Sequence, residues 1–330
     1  MRSARRWDGR SSAACWAPSS AAPAAGADIA AHPATGQSST AGTVCVLLSA
    51  VGFSAKAILI KLAYAYPVDA ATLLTLRLLF SAPFFVLMAL WSKRESAPLS
   101  RKQWLGVAVL GFSGYYLASY LDFLGLTYIT AGLERLILFL HPTIVVLLSA
   151  WWLKKPIRRH HFVALGLCYG GIALVFTENL NFGGHAHEVA LGGALVFASG
   201  VIYAFYLIGA GEIVGKIGAM RFTAYAMLVA CVVCVLQFLV THDPHALVVP
   251  AQVYWLTLAM AIISTVIPAW LMAEGIRLTG ANHAAMVGSV GPVATIFFGY
   301  WFLSEPITVI QITGAALVLA GVALVSTRHT

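Results

Sequence analysis

Residues 141–157 read HPTIVVLLSAWWLKKPI and residues 291–307 read GPVATIFFGYWFLSEPI. At a spacing of 150 residues Pro142 meets Pro292, Trp151 meets Trp301, Leu153 meets Leu303, and Pro156-Ile157 meets Pro306-Ile307. Working outward on the same spacing, Gly125 falls on Gly275, Ala131 on Ala281, and GIALV from Gly171 on GVALV from Gly321. Two apolar helices share Leu and Ala by composition alone, but shared Pro, Trp and Gly at fixed separations mark an internal repeat.

The surrounding chain sets the solvent. Of 330 residues 60% are hydrophobic and 10% charged, against about a quarter charged in a soluble domain. The apolar residues come in runs of roughly 20, enough for a helix to cross about 30 Å of hydrocarbon. We read ten spans: 42–63, 70–91, 104–126, 129–152, 161–177, 189–210, 219–240, 252–273, 281–303 and 308–326. The fold expected is therefore all-α and integral to the membrane, with short connections that leave no room for a soluble catalytic domain.

Five spans per repeat is an odd number, so the second copy must enter the membrane the opposite way round. The repeats fall at 41–178 and 187–327, behind an Ala-, Ser-, Pro- and Gly-rich tail, 1–40, that reads as disordered. The tail has no apolar core that would make it a secretory signal, although its Arg-rich, acid-poor character is shared with organellar transit peptides. Charge agrees with inversion. The basic link Lys154-Lys155-Pro156-Ile157-Arg158-Arg159 has as its repeat partner Ser304-Glu305-Pro306-Ile307-Thr308-Val309, which carries no base. With both termini cytoplasmic, nearly all Lys and Arg of the connections fall inside, as the positive-inside rule requires. The net charge of +8 is thus topological and gives no ground for a nucleic-acid partner. Five cysteines form no disulfide framework, and Gly166 and Gly170 form a G-x-x-x-G pair of the kind that packs helices closely.

On these residues the chain resembles the drug/metabolite transporter superfamily, with two tandem EamA-type modules. The resemblance is carried by the run from Gly125 to Pro142, by Trp151-Trp152-Leu153 before Lys155-Pro156-Ile157, and by Tyr300-Trp301-Phe302-Leu303-Ser304-Glu305-Pro306-Ile307 followed by Gly314 and Gly321. Family members end the fourth span of each module with an acidic residue; Glu305 matches and Lys155 does not. The resemblance implies ten helices and export or uptake of solutes ranging over amino acids, nucleosides, sugar conjugates and drugs.

Five ionisable residues stand within the spans away from their ends: Lys56, Arg77, Asp122, Glu134 and Arg135. Each costs about 2.5–3.5 kcal/mol or more at the bilayer centre unless paired or hydrated. Helical spacing places Ser49, Phe53 and Lys56 on one stripe, and Tyr115, Ser119 and Asp122 on another. Ala131, Glu134, Leu138 and His141 share a third, and Ser199, Tyr203 and Tyr206 a fourth. Candidate substrate-binding residues are Lys56, Arg77, Tyr115, Ser119, Asp122, Glu134, His141, Tyr203, Tyr206 and Trp270; structural pairing is the competing role for the charges, and an interfacial belt for the aromatics. Glu134 and Arg135 diverge by about 100°, so one of them braces a neighbouring helix.

The function expected is secondary transport of a small organic solute, an amino acid or a drug-like molecule, by alternating access in a bacterial inner (plasma) membrane. No cofactor and no metal are expected. The partners are the solute, membrane lipid and, in a homodimer, a second copy of the chain. The alternatives are a membrane-embedded enzyme or a channel; no H-E-x-x-H or G-x-S-x-G motif supports the first, and no charge recurring in both repeats supports the second.

Overall fold

A computed structural model describes residues 40–93, 98–152, 159–182 and 186–327. The Arg-rich tail, the basic link from 153 to 158 and Arg328 lie outside the described residues. The first half contains α1 (Thr40–Ala63), α2 (Ala70–Lys93), α3 (Arg101–Leu110), α4 (Ala118–Gly125), α5 (Ala131–Leu138), α6 (His141–Trp152) and α7 (Arg159–Phe182). The second contains α8 (Ala186–Ile217), α9 (Ala219–Thr241), α10 (Ala251–Ala261), α11 (Ile267–Thr279), α12 (Ala281–Gly288), α13 (Gly291–Leu303) and α14 (Val309–Thr327). Among the described residues eight helical segments are long and apolar enough to cross a bilayer, and two shorter apolar helices, Gly291–Leu303 and Val309–Leu324, come after them.

The irregularities recur at the sequence repeat. A π-helical stretch, Gly111–Leu117, joins α3 to α4, and another, Ile262–Val266, joins α10 to α11. The α5/α6 break before Pro142 falls 150 residues from the α12/α13 break before Pro292. Proline supplies no N–H and clashes with the carbonyl four residues back. At Pro142 the freed Leu138 carbonyl is recovered by the neighbouring ring: His141 Nδ1 lies 2.9 Å from it. A carbonyl only accepts, so Nδ1 carries the proton there.

Lipid tails are as apolar as the helix faces, so small residues and close backbone approach must hold the bundle together. The contacts that do so come in reciprocal pairs. A Cβ on Gly125 would lie 2.5 Å from Val196 and 2.9 Å from the Gly192 carbonyl; one on Gly275 would lie 2.4 Å from Val46 and 3.2 Å from the Gly42 carbonyl. Ser49 Oγ donates to the Pro268 carbonyl at 2.7 Å, and Ser199 Oγ to the Ala118 carbonyl at 2.7 Å. On α7 and α14, a Cβ on Gly171 would lie 2.6 Å from the Gly314 carbonyl and one on Gly321 would lie 2.7 Å from the Ala164 carbonyl, while Cys168 Sγ reaches the Val318 carbonyl at 3.6 Å. Each contact maps onto its partner by adding or subtracting 150. The two helices run antiparallel about the point where Cys168 and Val318 meet.

Two expectations need correction. A Cβ added at Gly166 or Gly170 would meet no atom of a neighbouring helix within 4 Å, and both glycines are exposed on the bundle surface. Helix α7 carries glycines on both sides, and Gly171 is the one that packs. The span expected to end at 210 continues to Ile217, since nothing between Gly209 and Gly215 removes a backbone donor; the chain turns at Gly218, whose φ of 84° suits glycine.

Gly171→Val should therefore lower the melting temperature in detergent and the yield of folded protein, by an overpacking cost of about 1–3 kcal/mol. Gly166→Val should leave both near wild type.

Candidate functional site

Helix α1 is packed against α11, α12 and α13 of the second half and touches α5 of the first, so a side chain on its inner face meets both repeats. Lys56 is that side chain. Its Nζ lies 2.6 Å from Asp122 Oδ2 on α4 and 3.2 Å from Glu134 Oε1 on α5, and the three side chains are 17%, 4% and 0% exposed. Only the Asp122 contact is a hydrogen bond; neither Glu134 oxygen accepts one among the described residues, and Asp122 Oδ1 is likewise unsatisfied. One ammonium thus serves two buried carboxylates.

Arg77 is held by its neighbours. Its Nε and Nη2 donate to Thr265 Oγ1 at 3.3 and 3.2 Å, and its guanidinium lies 5.5 Å from the centre of the Phe123 ring. Helices α2 and α4 and the second π-helical stretch are tied together by that one side chain.

The aromatic candidates form a second group. Tyr206 donates to the Tyr115 hydroxyl at 3.0 Å, Tyr203 stacks on Tyr206 with ring centres 5.3 Å apart, and the His141 ring stands edge-on to Tyr203 at 6.0 Å. Ser119 is half-buried and close to Tyr115 in sequence, but it lies beyond the end of the π-helical stretch. A wider turn shifts the phase of the residues after it, so Tyr115 and Asp122, expected on one stripe, serve different groups. Trp270 belongs to neither. It is 65% exposed on the outside of the bundle, where an apolar indole faces lipid; both faces of its helix are apolar, and spacing alone could not tell them apart.

Sequence reasoning passed over two groups. The Glu305 carboxylate crosses to the other repeat and accepts from the Ala131 N–H at 3.0 Å and the Gly132 N–H at 3.5 Å. It caps α5, whose first N–H groups have no partner within the helix. Its acidity at the end of α13 is a legible signal; its target is not. Arg135, one of the two residues of which spacing makes one a brace, has its Nε buried without a hydrogen-bond partner. Its Nη2 would lie 2.9 Å from a Cβ on Gly291, at the start of α13.

Under the 150-residue relation Lys56 corresponds to Tyr206, Arg77 to Met227, Asp122 to Met272, Glu134 to Ala284 and Arg135 to Ala285. The scaffold is twofold and the charge is not. A tandem scaffold of this kind is matched by a family model, the EamA-like transporter family, over residues 40–177 and again over 190–327.

The chain belongs to the EamA-like transporter family. It is an integral, multi-pass membrane protein. It is 32% identical over 286 residues to the uncharacterized transporter YcbK of Bacillus subtilis (strain 168), covering 83% of this chain and 89% of that protein. It is 27% identical over 266 residues to the uncharacterized transporter sll1319 of Synechocystis, covering 77% of this chain and 78% of that one. A solved crystal structure superposes with a TM-score of 0.58 at 17% identity, over 86% of this chain and 95% of its own, which speaks to the fold alone.

Removing one partner of a buried charge pair costs about 3–5 kcal/mol. Lys56→Met should lose stability of that order, because two carboxylates then remain without a cation. Glu134→Gln leaves the Lys56–Asp122 pair intact and should lose far less; paired thermal melts in detergent make the comparison.

Proposed function

We propose that this EamA-type chain is a secondary transporter that moves a small organic solute across the membrane by alternating access. Its ten spans form two inverted five-helix repeats, 41–178 and 187–327. In this reading both termini are cytoplasmic and the membrane is the plasma membrane, the inner membrane of a bacterium. The observation that carries the proposal is the reciprocity of the interhelical contacts: Gly125 on Val196 against Gly275 on Val46, and Ser49 on Pro268 against Ser199 on Ala118. A scaffold built twice in opposite orientations can exchange the conformations of its halves, opening to one side and then to the other around a site between them.

The unequal chemistry of the halves gives each opening a different closure. At the Glu305 end the Lys56–Asp122–Glu134 cluster and the capped α5 close the bundle with ion pairs; across the repeat relation the Tyr206 group closes it with rings and hydroxyls. The names of the family and of its relatives point the same way, to transport.

Two measurements test the proposal. Single cysteines from Lys155→Cys and Ile307→Cys should label from opposite sides of sealed vesicles; labelling from the same side contradicts the inverted repeat. In proteoliposomes screened with amino acids, nucleosides and drug-like ions, flux of a carried solute should saturate with concentration. Glu134→Gln should insert and melt close to wild type yet carry that solute at a small fraction of the rate, since the charge that the closed end must form and release is gone. Wild-type flux in a normally stable Glu134→Gln protein would remove this carboxylate from the cycle.

A further inference from the structure

The charges grouped around Lys56 do not balance. Lys56, Arg77 and Arg135 stand against Asp122 and Glu134, three cations to two carboxylates. Lys56 takes both carboxylates, and Arg77 is held by Thr265 and the Phe123 ring. Arg135 is left over. No carboxylate lies within ion-pair distance of it among the described residues, and its Nε is buried without a partner. The side chain keeps partial exposure, unlike adjacent Glu134.

Arg135 sits in the last turn of α5, a favourable place for a cation, but its guanidinium reaches across the repeat boundary to Gly291, the first residue of α13. The start of a helix carries the positive end of the macrodipole and attracts anions. A guanidinium held against it gathers two positive fields at one spot, and the two carboxylates within its electrostatic reach, Glu134 and Asp122, are paired with Lys56. The approach depends on Gly291 having no side chain, and the repeat-equivalent position holds His141. His141 and Tyr203 also lie within electrostatic reach of Arg135, as Glu134 and Asp122 do. The Tyr203 ring leads on to Tyr206.

We infer that Arg135 and the start of α13 form the anchor for an anionic group of the transported solute, and that the solute is an organic carboxylate whose apolar body lies along the Tyr203 and Tyr206 rings. Guanidinium is suited to this because its planar fork meets a carboxylate in two parallel hydrogen bonds. A zwitterionic amino acid fits less well, since the carboxylates that would receive its ammonium are already engaged by Lys56. The inference rests on the transport reading and narrows it to a solute class.

The test uses the full chain in lipid nanodiscs with three probes of one shape: phenylacetate, neutral phenylacetamide and cationic phenethylamine. Calorimetric titration should show saturable binding of phenylacetate, with the amide and the amine at least about tenfold weaker. Arg135→Gln should abolish that preference, and Arg135→Lys, which keeps the charge but not the fork, should fall between. If Arg135→Gln does not fold, Arg135→Lys and the ranking of the probes on wild type still decide. Preference for phenethylamine, unchanged phenylacetate binding in Arg135→Gln, or no phenylacetate binding by folded wild type at millimolar concentration would each overturn the inference. Flux separates the two readings. Phenylacetate bound through Arg135 but never carried removes the transporter and keeps the site; phenethylamine carried with saturation keeps the transporter and removes the anionic anchor.

Discussion

The close backbone approach of α7 and α14 is the constraint on which the rest depends. Gly171 against the Gly314 carbonyl and Gly321 against the Ala164 carbonyl leave no room for a Cβ, and in a bilayer no hydrophobic force would compensate for a looser fit. Around this crossing the remaining helices fall into reciprocal pairs, α4 with α8 and α1 with α11. Helix α5 of one broken pair packs against α13 of the other.

That twofold scaffold holds an uneven charge. Lys56, Arg77, Asp122, Glu134 and Arg135 all belong to the first repeat, and their counterparts in the second are Tyr, Met and Ala. Burying charge is costly, and a pair that merely stabilised the bundle could be replaced by apolar side chains at little loss. A cluster in which one ammonium is shared by two carboxylates, neither fully hydrogen-bonded, is better suited to forming and separating than to permanent bracing. Glu305 works at the same end by a different means, tying the first turn of α5 to the opposite repeat through backbone N–H groups.

Much of this is legible in the sequence because proline, glycine, tryptophan and charge are rare and costly inside spans. The 150-residue spacing of Pro142 and Pro292 predicts where both helices break, and the cost of buried charge singles out Lys56, Asp122 and Glu134 without any distance. Spacing does not give direction. In a soluble helix the polar face marks the outside; here both faces are apolar, so Trp270 and Tyr206 look alike, and Gly166 looks like Gly171. The π-helical turns carry no composition signal of their own and shift the stripe from Tyr115 to Asp122. For Arg135 the spacing says only that it or Glu134 braces a neighbouring helix; it does not say that the guanidinium reaches α13.

The central claim, that the two halves exchange conformations, is tested most directly by distances at the two ends of the bundle. Spin labels at 127 and 309 span the halves at one end, and their repeat equivalents at 277 and 159 span them at the other. Pulsed electron resonance in nanodiscs should show one distance lengthening as the other shortens when a carried solute is added. Two distances that stay fixed while the same labelled protein retains saturable flux would contradict the account.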